Sequence, residues 1–170
     1  MIYEPFKSTS FFIREVLQKI DKSRASLVIG IPTENQNVEK RIALTPETTA
    51  LLVDAGHRVL FEKGAGLTIN YSDNYYAESG AEIVDSHREV LQADLILKIA
   101  PPTLEEVSMM KPRSTVFSFL QLHRLSMSLL EAMSEKRINA VAYDLISDNT
   151  GASPFITAIS EIEGATSITL

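Results

Sequence analysis

The polar stretch from Glu34 to Arg41, ENQNVEKR, holds the side chains best suited to chemistry, with Glu34, Lys40 and Arg41 as candidates. Arg41 is the sharpest of them, because a guanidinium fork can grip a carboxylate through two parallel hydrogen bonds, as a small acid substrate requires. A solvated surface arginine is the competing reading. Lys98 is a second candidate: it ends the apolar run LILK, where a charged group is expensive unless it meets a partner or reaches solvent. An ordinary strand-end lysine is its alternative. His57, His87 and His123 are too scattered to show metal-ligand spacing.

These residues need elements to position them. Leu27, Val28, Ile29 and Ile31 form a short β-rich apolar run, with Gly30 inside it and Pro32 closing it, which reads as a strand buried on both faces of a parallel sheet. Glu34 to Arg41 then leaves the carboxyl end of that strand, where open α/β sheets place their ligands. Thr45 caps a helix that starts at Pro46 and ends before Gly56, with Glu47 complementing its dipole. Further strands are expected over Arg58 to Glu62, Leu95 to Ile99, Thr115 to Leu120 and Ala140 to Tyr143, with a weaker one over Ala81 to Asp85. Ser86 with Glu89 and Thr103 with Glu106 are capping-box signatures that open helices to Gln92 and Met110. This alternation predicts an α/β fold, a mostly parallel sheet with helices on both faces. Ahead of it, Ser10 to Lys22 reads as an amphipathic helix that packs on its own domain or, as the alternative, on another subunit.

Composition bounds the function. The chain has 170 residues, 45% of them hydrophobic, enough for one domain with some extra length. With no cysteine there is no disulfide framework and no thiolate chemistry, which is compatible with a reducing cytoplasm, the expected location. A formal net charge of -6 argues against nucleic acid as partner. No apolar run approaches the roughly 18 residues of a membrane span, so no membrane insertion is expected.

The stretch from Ile29 to Pro46 resembles the N-terminal signature of the alanine dehydrogenase and pyridine-nucleotide transhydrogenase family, G-[IV]-P-x-E followed by R-[IV]-A-x-T-P. Here Gly30, Ile31, Pro32 and Glu34 match its first half, and Arg41, Ile42, Ala43, Thr45 and Pro46 its second. AGHRVLFEKGAG from Ala55 to Gly66, SGAEIV from Ser79 to Val84 and ADLILKI from Ala93 to Ile99 agree in order and spacing. ISEIEG from Ile159 to Gly164 resembles M-S-E-[IV]-A-G, with Ile159 and Glu163 as departures.

The resemblance implies the N-terminal substrate domain of a two-domain oxidoreductase, Rossmann-like (flavodoxin-like), split around a nicotinamide-binding domain. Residues 1–24 are then an N-terminal helical extension, 25–158 the family domain, and 159–170 the start of an interdomain helix cut before the NAD-binding domain. NAD or NADP is implied for the full-length protein. Tight cofactor binding and activity are not expected of this piece, since Gly64-Ala65-Gly66 meets Ile69 where a third glycine belongs and reads as a turn. Side contacts around Ser160 are all it contributes. The implied partners are a small amino or keto acid, the missing C-terminal domain, and further copies in a dimer or hexamer.

Two positions depart from the dehydrogenases. The lysine they carry two residues after the match to Lys98 is Ala100 here, and the histidine after their strand F-[ST]-[FY]-L is Gln121. By the resemblance, the lysine holds the substrate carbonyl oxygen and the histidine moves protons during reversible deamination of L-alanine to pyruvate; neither Ala nor Gln replaces a titrating base. His123, two residues on, is a displaced-base candidate if the strand continues. The transhydrogenase branch passes hydride directly between nicotinamides and needs no proton donor. Against it, Asp148, Gly151, Pro154, Ser160 and Glu161 follow the dehydrogenase pattern. A relative that keeps the fold for binding or regulation, without the reaction, is the third alternative.

Overall fold

The computed structural model describes residues 26–167, with side chains for residues 26–161, so the expected helix over Ser10 to Lys22 lies outside the described residues. The elements run β1 (Val28–Ile31), α1 (Pro46–Asp54), β2 (Arg58–Glu62), α2 (Asp73–Glu78), β3 (Glu82–Val84), α3 (His87–Leu91), β4 (Leu95–Leu97), α4 (Leu104–Met109), β5 (Thr115–Ser118), α5 (Met127–Glu135), β6 (Asn139–Ala142) and α6 (Pro154–Ser167). The six strands form one parallel sheet in the order β3-β2-β1-β4-β5-β6. This is the doubly wound order that reverses direction beside the first strand.

Alternation along the strands divides the core between two faces. Ile29, Ile31, Val59 and Phe61 point to one face, where they meet Leu52 and Val53 of α1 and Tyr76 of α2. There Tyr76 stacks on Phe61 with ring centroids 3.7 Å apart, and its hydroxyl donates to the Leu44 carbonyl at 2.9 Å. On the other face, Ile96 and Val116 pack with Leu91 of α3, Val107 of α4, and Leu129 and Met133 of α5. Helices therefore cover both sides, as the alternating sequence pattern implies. Gly30 fits this arrangement for a steric reason: a Cβ there would lie 2.3 Å from the Val90 carbonyl oxygen, so only glycine lets α3 approach β1 this closely.

Local signals position the helix starts. Thr45 adopts extended backbone, its side chain accepts from the Thr48 N–H, and Pro46 opens α1. Thr103 and Glu106 form a full reciprocal capping box on α4. At α3 only half of the expected box forms: Ser86 accepts from the Glu89 N–H. Two helices, α2 and α5, lie outside the sequence expectations. Strands β4 and β5 end earlier than expected, at Leu97 and Ser118, and α6 already begins at Pro154. Among the described residues no helix is long and apolar enough to cross a membrane.

Candidate functional site

The carboxyl ends of β1, β4 and β5 lie at the same end of the parallel sheet, on either side of the point where its strand order reverses. The loops leaving them, together with α6, enclose a cleft of about 400 Å³. The β1 loop contributes Glu39 and Arg41, the segment after β4 contributes Ala100, and the turn after β5 contributes Gln121 and Arg124. Ser160 closes it from α6. A neighbouring hollow of about 500 Å³ reaches Lys98 and is lined by aromatic and aliphatic groups including Phe117, Tyr143 and Phe155.

Arg41 reaches the cleft with a carboxylate already in its fork. Its Nε and Nη2 donate to Glu39 Oε1 and Oε2 at 2.9 and 2.7 Å, and its backbone N–H donates to Oε1 at 2.8 Å. Burial alone would raise the Glu39 carboxyl, but the hydrogen bonds from Arg41 outweigh it and hold it below the usual carboxylate range. The geometry is the bidentate one that a ligand carboxylate would adopt, supplied by the chain itself. Lys40 is exposed and turned away from the cleft lining, its carbonyl accepting from the Thr68 hydroxyl at 2.7 Å.

The turn after β5 is held in an uncommon conformation. Gln121 sits in the left-handed region at φ 47° and ψ 58°. Buried Asp144 holds it there, accepting the backbone N–H of Leu120 at 3.1 Å and of Gln121 at 3.2 Å. The chain then enters a short 3-10 turn, Leu122–Arg124, so the strand does not continue and His123 does not share a strand face with Gln121. That corrects the premise on which His123 was a displaced base: it is exposed and absent from the cleft lining.

Lys98 meets partners rather than solvent. Only 4% exposed, its Nζ lies 2.5 Å from Glu106 Oε1 and 3.4 Å from Glu34 Oε2. Glu34 Oε1 accepts the Ile99 N–H at 2.6 Å, tying the first loop to the end of β4. Glu106 Oε2 accepts from its capping partner Thr103 at 2.6 Å. On its far side Glu106 Oε1 lies 3.6 Å from His87 Nε2, while His87 Nδ1 is 2.7 Å from Glu62 Oε2, which also accepts the Thr33 N–H at 2.7 Å.

The protonation states follow from this chain of contacts. Burial favours neutral Glu106, yet His87 and the Lys98 charge dominate and hold its carboxyl down at about 2. Glu106 and Glu62 together push His87 up to about 9; at these distances Glu62 is hydrogen-bonded and Glu106 acts by its charge. Burial pushes Glu34 up despite Lys98 beside it. Three carboxylates thus face two cations, and Glu34 is the group from which the excess negative charge is most readily removed. Sequence reasoning singled out Glu34 and Lys98 but missed Glu62, His87 and the second role of Glu106. A glutamate closing the apolar run RVLFE was the available signal for Glu62.

The Gly64-Ala65-Gly66 segment is a packed turn. Gly64 forms a turn at φ 80°, and a Cβ on Gly66 would meet the Tyr71 carbonyl oxygen at 2.7 Å and the Tyr76 ring at 2.9 Å. Gly66 is packed against tyrosines, so the phosphates of a nicotinamide cofactor do not fit there.

A doubly wound parallel sheet with a loop-built cleft at its switch point defines a Rossmann-like α/β domain. Residues 30–163 match the family model described as alanine dehydrogenase/PNT, N-terminal domain, and the chain belongs to that family. It is 35% identical over 138 residues to alanine dehydrogenase of Bacillus subtilis (strain 168), covering 81% of this chain and 36% of that protein. With alanine dehydrogenase of Methanococcus maripaludis the identity is 37% over 145 residues, covering 85% and 39%. Among solved structures, an L-alanine dehydrogenase superposes with a TM-score of 0.73 at 29% identity, covering 76% of this chain and 36% of that one. The transhydrogenase of Sinorhizobium meliloti gives 0.66 at 26%, covering 72% and 36%. The chain therefore spans little more than a third of the length of these relatives.

Proposed function

We propose that this chain is the substrate-side domain of an alanine-dehydrogenase-like oxidoreductase, and that its cleft holds the carboxylate of a small amino or keto acid on Arg41. The observation that carries the reading is the bidentate Arg41–Glu39 pair on the cleft wall: a ligand carboxylate enters by taking over a geometry already formed. NAD or NADP, bound by a further domain, supplies the hydride chemistry. The protein assembles as a dimer or hexamer in the cytoplasm.

The residues facing the cleft bind and orient, and they exclude water through Ile99, Phe119 and Ile156. Among its described lining residues there is no lysine or histidine, and the single carboxylate, Glu39, is held ionised by Arg41. Proton transfer during deamination has no base there. The same observation favours a second reading, a transhydrogenase-like hydride transfer that needs no proton donor. Calorimetry of pyruvate binding to the intact protein tests the carboxylate site. Arg41→Ala should weaken binding at least tenfold, about 1.4 kcal/mol, and Arg41→Lys should recover only part of it. Unchanged affinity in Arg41→Ala would remove the basis for the assignment.

A further inference from the structure

The cleft contains a second arginine that the carboxylate reading leaves unused. Arg124 lines it from the turn after β5 and forms no ion pair among the described residues. Its contacts are to a neutral amide. The Arg124 backbone N–H donates to the Gln121 carbonyl at 2.7 Å, and Nη1 donates to Gln121 Oε1 at 3.1 Å.

Arg124 is exposed, but the turn that carries it is held in place from the buried side. Asp144 fixes two successive amides, Gln121 is held at positive φ, and the Gln121 side chain then braces the guanidinium over the cleft. The amide oxygen orients Arg124 without neutralising it, whereas Arg41 carries a compensating carboxylate. Among the described lining residues, two arginines face one carboxylate, Glu39. A ligand whose single carboxylate pairs with Arg41 leaves Arg124 bonded only to the neutral Gln121 amide.

We propose that Arg124, braced by Gln121, is a second anion subsite, and that the ligand class is a 2-oxo or 2-amino acid with a second acidic group, a four- or five-carbon dicarboxylate rather than alanine or pyruvate. This rests on the carboxylate reading of Arg41 and specifies the substrate class of that same cleft. Arg124 is the specificity-determining residue, and Gln121 is its positioning residue.

Titration calorimetry of the intact protein with 2-oxoglutarate and with pyruvate tests it. The wild type should bind 2-oxoglutarate at least tenfold tighter. In Arg124→Met that ratio should fall to near one, in Gln121→Ala it should fall part of the way, and in Arg88→Met, a charge loss at an exposed position on α3, it should not change. A wild-type ratio near one, with pyruvate binding still weakened at least tenfold by Arg41→Ala, overturns the second subsite and leaves the carboxylate site standing. A ratio that survives Arg124→Met overturns the role of Arg124. Failure of both acids to bind, or binding indifferent to Arg41→Ala, overturns the underlying reading and the inference with it.

Discussion

Lys98 illustrates how one residue type at one position supports two different roles. As a strand-end cation beside a site it reads as a substrate anchor, but its side chain is 3% exposed and its ammonium already faces Glu34 and Glu106. Removing one partner of a buried ionic cluster strands the others, typically at about 3–5 kcal/mol. Lys98→Met should therefore lower the unfolding free energy obtained from urea denaturation by an amount in that range. If stability is unchanged while pyruvate binding is lost, the anchor role holds and the structural one fails. His87 in the same cluster gives a pH signature. Its folded pKa of about 9 lies above the ordinary 6.5, so its contribution is complete below pH 6.5 and disappears as pH rises through 9. Glu106, held at about 2, contributes fully above pH 4.5 and loses that contribution as pH falls toward 2. The melting temperature should fall between pH 6.5 and 9, and His87→Gln should flatten that decline. A slope identical in the variant would assign it to other groups.

At the scale of elements, what was legible in the sequence is what local physics determines. The β-branched runs, the Thr45–Pro46 start and the Thr103–Glu106 box need only neighbours in sequence, and the structure contains each of them. Helix α2 was not legible because its six residues, DNYYAE, have no apolar period; what holds it is Tyr76 against Phe61, a contact from another element. For α5 the sequence does carry a signal, Ser126 as cap with Leu129 and Met133 four apart. The left-handed Gln121 could not be read at all, since its anchor, Asp144, lies 23 residues away. Gly30 is the reverse case: it was read only as a feature of the strand, and its reason is helical. Gly30→Ala would drive a methyl into the Val90 carbonyl and force α3 off the sheet, at a cost of about 1–3 kcal/mol. Chemical denaturation measures this directly, and an unchanged midpoint would show that α3 shifts freely.

For the whole molecule, the sheet brings three loops distant in sequence to one cleft, which decides what chemistry the cleft supports. Ala100 after β4 and Gln121 after β5 both face it, and by family resemblance these are the positions of the dehydrogenase lysine and histidine. The intact protein should then show little alanine-dependent reduction of NAD, since a missing general acid or base slows turnover by about 10²- to 10⁴-fold. Restoring both groups is sterically reasonable. Ala100 borders open cleft volume, and histidine is among the residues that tolerate the left-handed backbone at position 121. Ala100→Lys with Gln121→His should raise the steady-state rate with alanine by at least a hundredfold. The gain should carry a second consequence, because the same substitution removes the brace on Arg124. Preference for 2-oxoglutarate over pyruvate should fall in the double variant as alanine turnover rises. Ordinary dehydrogenase turnover in the unmodified protein would instead show that a base from outside this cleft lining performs the proton transfer.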